Sequence, residues 1–319
     1  MYLTVVLPAY NDARWLPYAI ESTLAQTHRD FELLLVDDGS TDDTLAVMER
    51  YARQDARVRI ISHANMGLAR SLNTGIEQAT TATAWIARMD SDDVMLPFRL
   101  ERQVAFACEH PDVAATAGLA IYINESGRQV GRKARTRFAQ PGTALRTLEH
   151  GQPVQLLHSC ALMRRDAVLA VGGYRPQFTV TEDADLWSRM LEAGYSLLEQ
   201  PEYLQQVRFR RVSASGGSHV LQQRQLRWVV ACSAARRAGR PEPTFEQFVA
   251  TERSGSWLGQ LNVRRKEAAN DRFHRALWAY ANGQRGKATG DLAISSALDP
   301  AAAAKRFVPR VVSTISRSR

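Results

Sequence analysis

The sequence predicts an α/β protein in which a mostly parallel sheet, flanked by helices, is followed by a C-terminal α-helical region. Two observations predict this class. Short apolar runs alternate with segments of helical periodicity from Leu3 to Met89, which is typical of βαβ units. After residue 216 the composition changes to segments rich in Arg and Ala. We therefore expect two domains, residues 1–215 and residues 216–319.

The strands and helices of the predicted sheet follow one another at short spacing. Residues 3–7 (LTVVL) are typical of a strand buried on both faces, and Pro8 is expected to end it. Asn11 or Asp12 is expected to cap a helix whose apolar positions run from Leu16 to Leu24. Further strands are predicted at residues 31–36, 58–61 and 84–89, and helices at residues 41–54 and 68–79.

The middle of the chain is expected to contain longer strands. Residues 113–130 have this pattern, with a hairpin-like reversal at residues 125–128. The basic, polar residues 128–137 are expected to form a mobile loop. Helices are predicted at residues 166–171 and 182–193, each followed by glycine, and residues 213–218 are predicted to be a linker.

Composition and charge exclude several classes of protein. The chain is 45% apolar and 23% charged, which excludes collagen-like and wholly disordered proteins. The formal charge of +8 is unevenly divided: residues 1–200 carry 20 basic and 25 acidic side chains, whereas residues 201–319 carry 21 and 8. We expect no nucleic-acid partner, because the basic part lacks interleaved aromatic residues and recognised motifs.

The expected location is cytoplasmic. Three widely spaced cysteines give no disulfide framework or metal-ligand spacing, which fits a reducing compartment. We find no signal peptide pattern and no apolar run approaching the ~18 residues of a membrane span.

Polar and acidic side chains follow three of the predicted strands. These tips are Pro8-Ala9-Tyr10-Asn11, Asp37-Asp38-Gly39-Ser40 and Asp90-Ser91-Asp92-Asp93. Ligands of open α/β sheets bind beyond the carboxyl ends of the strands. Because neighbouring carboxylates repel one another unless a cation lies between them, these tips indicate a binding site.

Asp90 and Asp92 are the strongest candidates for metal ligands. Two carboxylates separated by one residue after a buried strand can bind one divalent cation, with phosphate oxygens completing the shell. The alternative is a solvated turn that caps the next helix. Asp38 is a candidate for contact with a nucleotide base or ribose, or alternatively a helix cap. The absence of dinucleotide-binding and P-loop glycine motifs indicates that a nucleotide diphosphate here needs a metal.

Six blocks of sequence resemble the family 2 glycosyltransferases, which are inverting enzymes with the GT-A fold. The resemblance extends from about Leu3 to Ser215, and the blocks occur in the family's order. They are Pro8-Ala9-Tyr10-Asn11, Val36-Asp37-Asp38-Gly39-Ser40-Thr41-Asp42, Asn65-Met66-Gly67-Leu68-Ala69, Ala87-Arg88-Met89-Asp90-Ser91-Asp92-Asp93, Gly172-Gly173-Tyr174 and Glu182-Asp183-Ala184-Asp185-Leu186-Trp187.

The resemblance implies a role for individual residues. Asp183 matches the proposed general base, with Glu182 as the second choice, although two acids after Thr181 also suit the first turn of a helix. Asp90 and Asp92 match the pair that holds Mn²⁺ or Mg²⁺ against the donor diphosphate. The donor-binding set implied by the family is Pro8, Ala9, Tyr10, Asp38, Arg70, Asp90 and Ser91.

The resemblance does not decide the roles of three residues. Leu72 stands where family members often carry arginine, so Arg70 either reaches the diphosphate or is a solvated side chain. His158 matches a frequent family histidine, with an acceptor-side or a structural role. Arg210 stands where the family has a histidine, and an arginine can pair with phosphate but cannot bind a metal.

The resemblance predicts a hexosyltransferase-type enzyme that transfers a sugar from a nucleotide-diphospho-sugar, most simply a UDP-sugar, in polysaccharide or glycolipid assembly. The acceptor is expected to be a glycan or a lipid-linked sugar. The basic C-terminal helices either are solvated or make peripheral contact with an anionic membrane at its inner face. The alternatives are a non-catalytic binding relative and a sugar nucleotidylyltransferase.

Overall fold

The computed structural model describes residues 1–133, 135–210, 219–254 and 256–304. The chain divides into two compact units. The first contains residues 1–123, 127–208 and 229–242, and the second contains residues 124–126, 209–228 and 243–319. The predicted linker at residues 213–218 and the proposed boundary after residue 215 lie outside the described residues.

Within the described residues, a nine-stranded mixed sheet forms the centre of the first unit. The strands are β1 (Leu3–Ala9), β2 (Phe31–Asp37), β3 (Val58–Ser62), β4 (Trp85–Arg88), β5 (Val94–Met95), β6 (Val113–Ile123), β7 (Gln129–Arg132), β8 (Ala161–Arg164) and β9 (Ser196–Arg208). Their order in the sheet is β3-β2-β1-β4-β8-β6-β9-β5, with β7 paired to β6. Strands β1 to β4 are mutually parallel, β8 is antiparallel to both β4 and β6, and β9 is parallel to β6.

The helices confirm the predicted order of elements, and a run of them follows the last strand. The described helices are α1 (Leu16–Leu24), α2 (Thr44–Gln54), α3 (Leu68–Gln78), α4 (Arg99–Glu109), α5 (Thr143–Glu149), α6 (Arg165–Ala170), α7 (Glu182–Glu192), α8 (His219–Arg237), α9 (Phe245–Ser254), α10 (Trp257–Ala281) and α11 (Arg285–Leu298). Within the described residues, none of these helices has both the length and the apolar character needed to cross a bilayer.

The central strands are buried on both faces, as their continuous apolar sequences predict. Alternate residues of β1 point to opposite sides of the sheet. Val5 and Leu7 therefore pack with Ile20 of α1 in one apolar cluster. Val6 packs with Ile76 of α3 in the other.

Strand β1 continues through Pro8, so the prediction that this proline ends the strand is wrong. The carbonyl of Ala9 accepts a hydrogen bond from the amide of Asp38, which places the peptide groups of Ala9 on the β2 side. Pro8 therefore faces the opposite neighbour, β4, whose pairing with β1 stops at Arg88 opposite Val6. No ladder hydrogen bond is lost at a proline in that position.

Two predicted helix starts are wrong for the same reason. Neither Asn11 nor Asp12 caps α1, which begins at Leu16 after Trp15. The Asn11 side chain instead accepts hydrogen bonds from the amides of Thr41 and Asp42, and this keeps those two residues outside α2. A polar side chain that satisfies a neighbouring loop replaces a local cap here.

The predicted loop at residues 128–137 is partly a strand. Residues 129–132 form β7, which pairs with β6 across the predicted reversal. Lys133 is ion-paired with the buried carboxylate of Glu199, and the amide of Arg137 donates to the same side chain. A buried carboxylate that needs partners explains why a basic stretch of sequence is ordered here.

Arg99, the first residue of α4, is a fully buried arginine that joins three parts of the first unit. Its Nη1 donates to the Ser159 carbonyl at 3.0 Å and to Gln205 Oε1 at 2.6 Å, and its Nη2 donates to the Arg88 carbonyl at 2.7 Å. It thereby connects the end of β4 to β9 and to the turn before β8. Buried acceptors of this kind are costly when they lose their donor.

We expect Arg99→Met to lower the free energy of unfolding by about 3–5 kcal/mol, because several buried acceptors would then be unpaired. Urea unfolding followed by tryptophan fluorescence measures this loss. The matched control is Arg102→Met, one turn along the same helix, where the side chain is 58% exposed and its nearest carboxylate oxygen, on Glu202, is 3.8 Å away. We expect the control to change stability by less than about 0.5 kcal/mol. Equal losses in the two variants would contradict this role of Arg99.

Candidate active site

The loops after β1 and β2 are tied to each other by Asn11. Its side-chain Oδ1 accepts from the backbone amide of Thr41 at 2.7 Å, and its backbone amide donates to Ser40 Oγ at 3.1 Å. Asn11 has a positive φ of 51°, which asparagine tolerates better than most residues. Tyr10, in the predicted nucleoside-binding tip, is left half exposed beside this connection.

Asp37 and Asp38 both use their carboxylates to fix neighbouring loops. Asp38 Oδ1 and Oδ2 accept from the amides of Met66 and Gly67 at 2.8 and 3.0 Å. Asp37 accepts from the amide of Ser40 and from the Ser62 hydroxyl. The predicted contact of Asp38 with a nucleotide base therefore depends on its remaining lone pairs.

Gly39 is required by this arrangement. Its φ is +71°, and a Cβ added there would lie 2.5 Å from the amide nitrogen of Asn65. A larger residue would force apart the loops that follow β2 and β3.

A buried arginine ends β4 beside the predicted metal-binding turn. Arg88 is 3% exposed, and its Nη1 is ion-paired with Asp90 Oδ1. The Asp90 side chain is 38% exposed, so it is open to a ligand, whereas Ser91 and Asp92 are nearly buried. The hydroxyl of Ser91, which was predicted to bind the donor, donates a hydrogen bond to Asp12 in this structure.

Strand β9 holds the other side of this turn. The amide of Arg208 donates to Asp93 at 3.0 Å, and its Nε donates to the Asp92 carbonyl at 2.9 Å. The guanidinium of Arg208 also lies over the ring of Trp15, 4.5 Å from its centroid. Burial raises the pKa of Asp93 to about 6. Asp93 therefore anchors the turn, and Asp90 is its exposed carboxylate.

Glu182 and Asp183 begin α7 in the same buried region. Burial raises the pKa of Asp183 to about 6, and the charge of Asp90 acts in the same direction. Burial, followed by the charge of Asp183, raises the pKa of Glu182 to about 8. The Arg88 charge lowers the pKa of both acids. The charge of Asp90 acts on Glu182 and Asp183 because the fold brings together residues that lie about 90 positions apart in sequence.

His158 and Tyr174 line the side of Glu182. His158 Nε2 lies 2.7 Å from the Tyr174 hydroxyl, and its Nδ1 lies 3.8 Å from Glu182 Oε1. Burial, followed by the charge of Arg88, lowers the pKa of His158 well below its usual value, so this imidazole is neutral near pH 7. Trp187 is fully buried in the apolar core, as expected for an aromatic residue on this amphipathic helix.

Asn73 fixes the turn that precedes Tyr174. Its Nδ2 donates to the Tyr174 carbonyl and its Oδ1 accepts from the Tyr174 amide, both at 2.8 Å. A Cβ on Gly173 would lie 2.6 Å from Asn73 Oδ1, so only glycine allows this double hydrogen bond. Arg70, on the same helix α3, is exposed.

The acidic residues do not form a ready-made metal cage. Among the described residues, no group of three or more His, Cys, Asp or Glu side chains is placed to hold a metal ion. Mg²⁺ and similar ions commonly bind one or two carboxylates and complete their shell with substrate phosphates and water. The exposed carboxylate of Asp90 and the adjacent Asp92 fit that smaller donor set.

Arg88 and Tyr174 lie within the blocks that resemble the family, but neither is among the site residues predicted from the sequence. The signal for Arg88 is a basic residue at the end of an otherwise apolar strand, directly before an acidic turn. Such a charge is rarely buried unless it is paired. The signal for Tyr174 is weaker, because its hydroxyl is recognisable only once His158 is seen beside it.

Comparisons with known proteins identify the family of this chain. The family model for glycosyl transferase family 2 matches residues 4–172. EpsE of Bacillus subtilis is 35% identical over 65% of this chain and 72% of its own length. The amylovoran biosynthesis glycosyltransferase AmsE of Erwinia amylovora is 31% identical over 64% of this chain and 75% of its own.

Solved structures support the fold. S. aureus TarS (residues 1–349), in complex with UDP-GlcNAc, is 16% identical with a TM-score of 0.57, covering 92% of this chain and 89% of that one. The mannosyltransferase PcManGT of Pyrobaculum calidifontis, in complex with GDP-Man and Mn²⁺, is 17% identical with a TM-score of 0.55, covering 92% and 86%. The predicted GT-A-type fold is confirmed, and the chain belongs to glycosyltransferase family 2.

Proposed function

We propose that this glycosyltransferase moves a sugar from a nucleotide-diphospho-sugar to an acceptor hydroxyl with inversion at the anomeric carbon. The observation that carries the proposal is the cluster of Arg88, Asp90, Glu182 and Asp183 at the carboxyl end of the sheet. It combines a carboxylate with a raised pKa and an exposed acidic turn. Asp183 can act on the acceptor while Asp90, in the acidic turn, faces the leaving diphosphate.

Asp183 is the proposed general base. Its carboxylate takes the proton of the acceptor hydroxyl as that oxygen bonds to the anomeric carbon. The bond from the anomeric carbon to the diphosphate oxygen breaks at the same time, and the diphosphate leaves with the electron pair. A pKa of about 6 suits this task, because the group is ionised at neutral pH and still basic enough to accept a proton. Glu182, at about 8, is largely protonated there.

Asp90 and Asp92 are the proposed ligands of Mn²⁺ or Mg²⁺. A divalent ion supplies positive charge that offsets the charge developing on the departing diphosphate. The complex of PcManGT with GDP-Man and Mn²⁺ supports a divalent metal as cofactor. Arg88 holds the Asp90 carboxylate in place through their ion pair.

The donor is proposed to lie against the loops after β1 and β2, bordered by Pro8, Ala9, Tyr10 and Asp38. Complexes of TarS with UDP and with UDP-GlcNAc support a UDP-sugar, and PcManGT binds GDP-Man. Arg70 and Ser91 remain members of the proposed donor set. The role of AmsE in amylovoran biosynthesis supports an acceptor in polysaccharide assembly, a glycan or lipid-linked sugar.

We expect Asp183→Asn to reduce transfer by about 10²–10⁴-fold, because the amide cannot accept the acceptor proton. Donor binding should be unchanged, as measured by calorimetric titration with the nucleotide sugar. Glu182→Gln is the matched control, because it makes the same chemical change at the adjacent residue, which is the more buried of the two. A larger loss in the Glu182 variant than in the Asp183 variant would assign the base to Glu182.

The pH profile of kcat/KM distinguishes the same two residues without mutation. A base must be deprotonated to act, so the rate should rise with pH through its pKa. With Asp183 as the base, the midpoint of the rise is expected near pH 6. A midpoint near pH 8 would match Glu182 and would rule out Asp183.

We expect Asp92→Ala to abolish transfer and to remove the Mn²⁺-dependent part of donor binding while the protein stays folded. Asp92 is a cleaner test than Asp90, because loss of Asp90 would leave the buried Arg88 without its carboxylate. A thermal-shift panel of nucleotide sugars with and without Mn²⁺ measures the effect, since a ligand of the native state raises its melting temperature. Asp112→Ala, an exposed acid of the first unit, is the control. Full activity of the Asp92 variant would refute the metal assignment.

A further inference from the structure

Helix α10 of the second unit begins with three large apolar side chains in solvent. Trp257, Leu258 and Leu261 are 70%, 60% and 54% exposed. A single exposed leucine is ordinary on a protein surface, but a tryptophan and two leucines within two helical turns form a contiguous apolar patch. Such a patch indicates a surface that is covered in use.

Two arginines continue the same face of the helix. Leu261 lies four residues after Trp257, and Arg264 and Arg265 lie three and four residues after Leu261. Residues at these spacings are neighbours on a helix surface. Both arginines are exposed. We call Trp257, Leu258, Leu261, Arg264 and Arg265 the α10 face.

No carboxylate of the adjoining sequence neutralises this face. Residues 253–266 contain four basic and no acidic side chains. The acids on either side, Glu252 and Glu267, are ion-paired with Arg227 of α8, each at 2.7 Å. Arg265 donates to the Leu298 carbonyl at 2.6 Å and to Asn262 Oδ1 at 3.0 Å, but both acceptors are uncharged. The positive charge next to the apolar patch is therefore not neutralised by these contacts and can attract an external anion.

We propose that the α10 face binds the surface of an anionic lipid bilayer. Tryptophan and leucine insert at the boundary between headgroups and acyl chains, and the adjacent arginines attract the lipid phosphates. A second copy of the chain fits less well, because symmetric pairing of this face would bring the arginines of both copies into one interface in which residues 253–266 supply no carboxylate to pair with them. The combination of apolar and basic side chains on one helix face thus favours a membrane over self-association.

This proposal does not rest on glycosyl transfer. Vesicle binding needs neither donor nor acceptor, so it can succeed or fail independently of the assignments of Asp183, Asp90 and Asp92. It requires only the folded full chain.

The test is co-sedimentation of the full chain with vesicles of phosphatidylcholine mixed with phosphatidylglycerol, and with vesicles of phosphatidylcholine alone. We expect binding to the anionic vesicles that weakens as salt is added, since salt screens the arginine–phosphate attraction. Trp257→Ser combined with Leu261→Ser should reduce partitioning by about tenfold or more. Arg264→Glu should reduce it by at least about tenfold through the reversal of one charge.

Two controls keep the same chemistry elsewhere in the second unit. Ile294→Ser removes an exposed apolar side chain of α11, and Arg285→Glu reverses an exposed charge at the start of that helix. Both should bind vesicles within about threefold of the parent chain. Circular dichroism of all variants confirms that the helices remain folded.

Three results would overturn the proposal. The first is absence of binding to the anionic vesicles by the parent chain. The second is equal binding by the α10-face variants and their controls. The third is a dimer of the parent chain, detected by light scattering, that does not bind vesicles and that the Trp257 and Leu261 double variant no longer forms. This result would assign the α10 face to a second copy of the chain.

Discussion

One guanidinium, that of Arg88, makes the acidic centre of this protein possible. Asp90, Glu182 and Asp183 are close enough for their charges to affect one another, and of the two that begin α7, Glu182 is buried and Asp183 is partly buried. Carboxylates brought together in this way repel and become protonated unless a cation lies near them. The buried Arg88 supplies that cation from the end of a central strand, so the position of β4 in the sheet determines the electrostatics of the whole site.

Around this centre, many of the family's characteristic polar residues act as structural connectors. Asp38 holds the loop before α3, and Asn73 holds the turn at Tyr174. Asp185 pairs with Arg175 and Arg189, and Arg189 also donates to the carbonyl of Gly173. Hydrogen bonds from loop to loop give a site with little freedom to rearrange, which is what positioning of a sugar donor requires.

The sequence predicted the parts of the fold that local patterns control. Apolar runs located β1 to β4, and the polar and acidic residues that follow three of these strands indicated which edge of the sheet holds the predicted site. The pattern could not show that Asn11 binds Thr41 rather than capping α1, or that Lys133 pairs with Glu199 and orders a basic stretch, because those partners lie 30 and 66 residues away. Likewise, Asp90 and Asp183 become neighbours only through the tertiary fold, and the sequence alone linked them solely through resemblance to a family.

The anchoring of Asp38 has a consequence for protein engineering. Since both of its oxygens already serve the amides of residues 66 and 67, a library that randomises Asp38 to alter donor choice would also remove the hydrogen bonds that hold the loop before α3. The half-exposed Tyr10 and Met66 flank the same anchor, and their side chains can vary while the backbone hydrogen bonds persist. A screen for new donor specificity would therefore be most productive at these two positions, with the carboxylate between them kept constant.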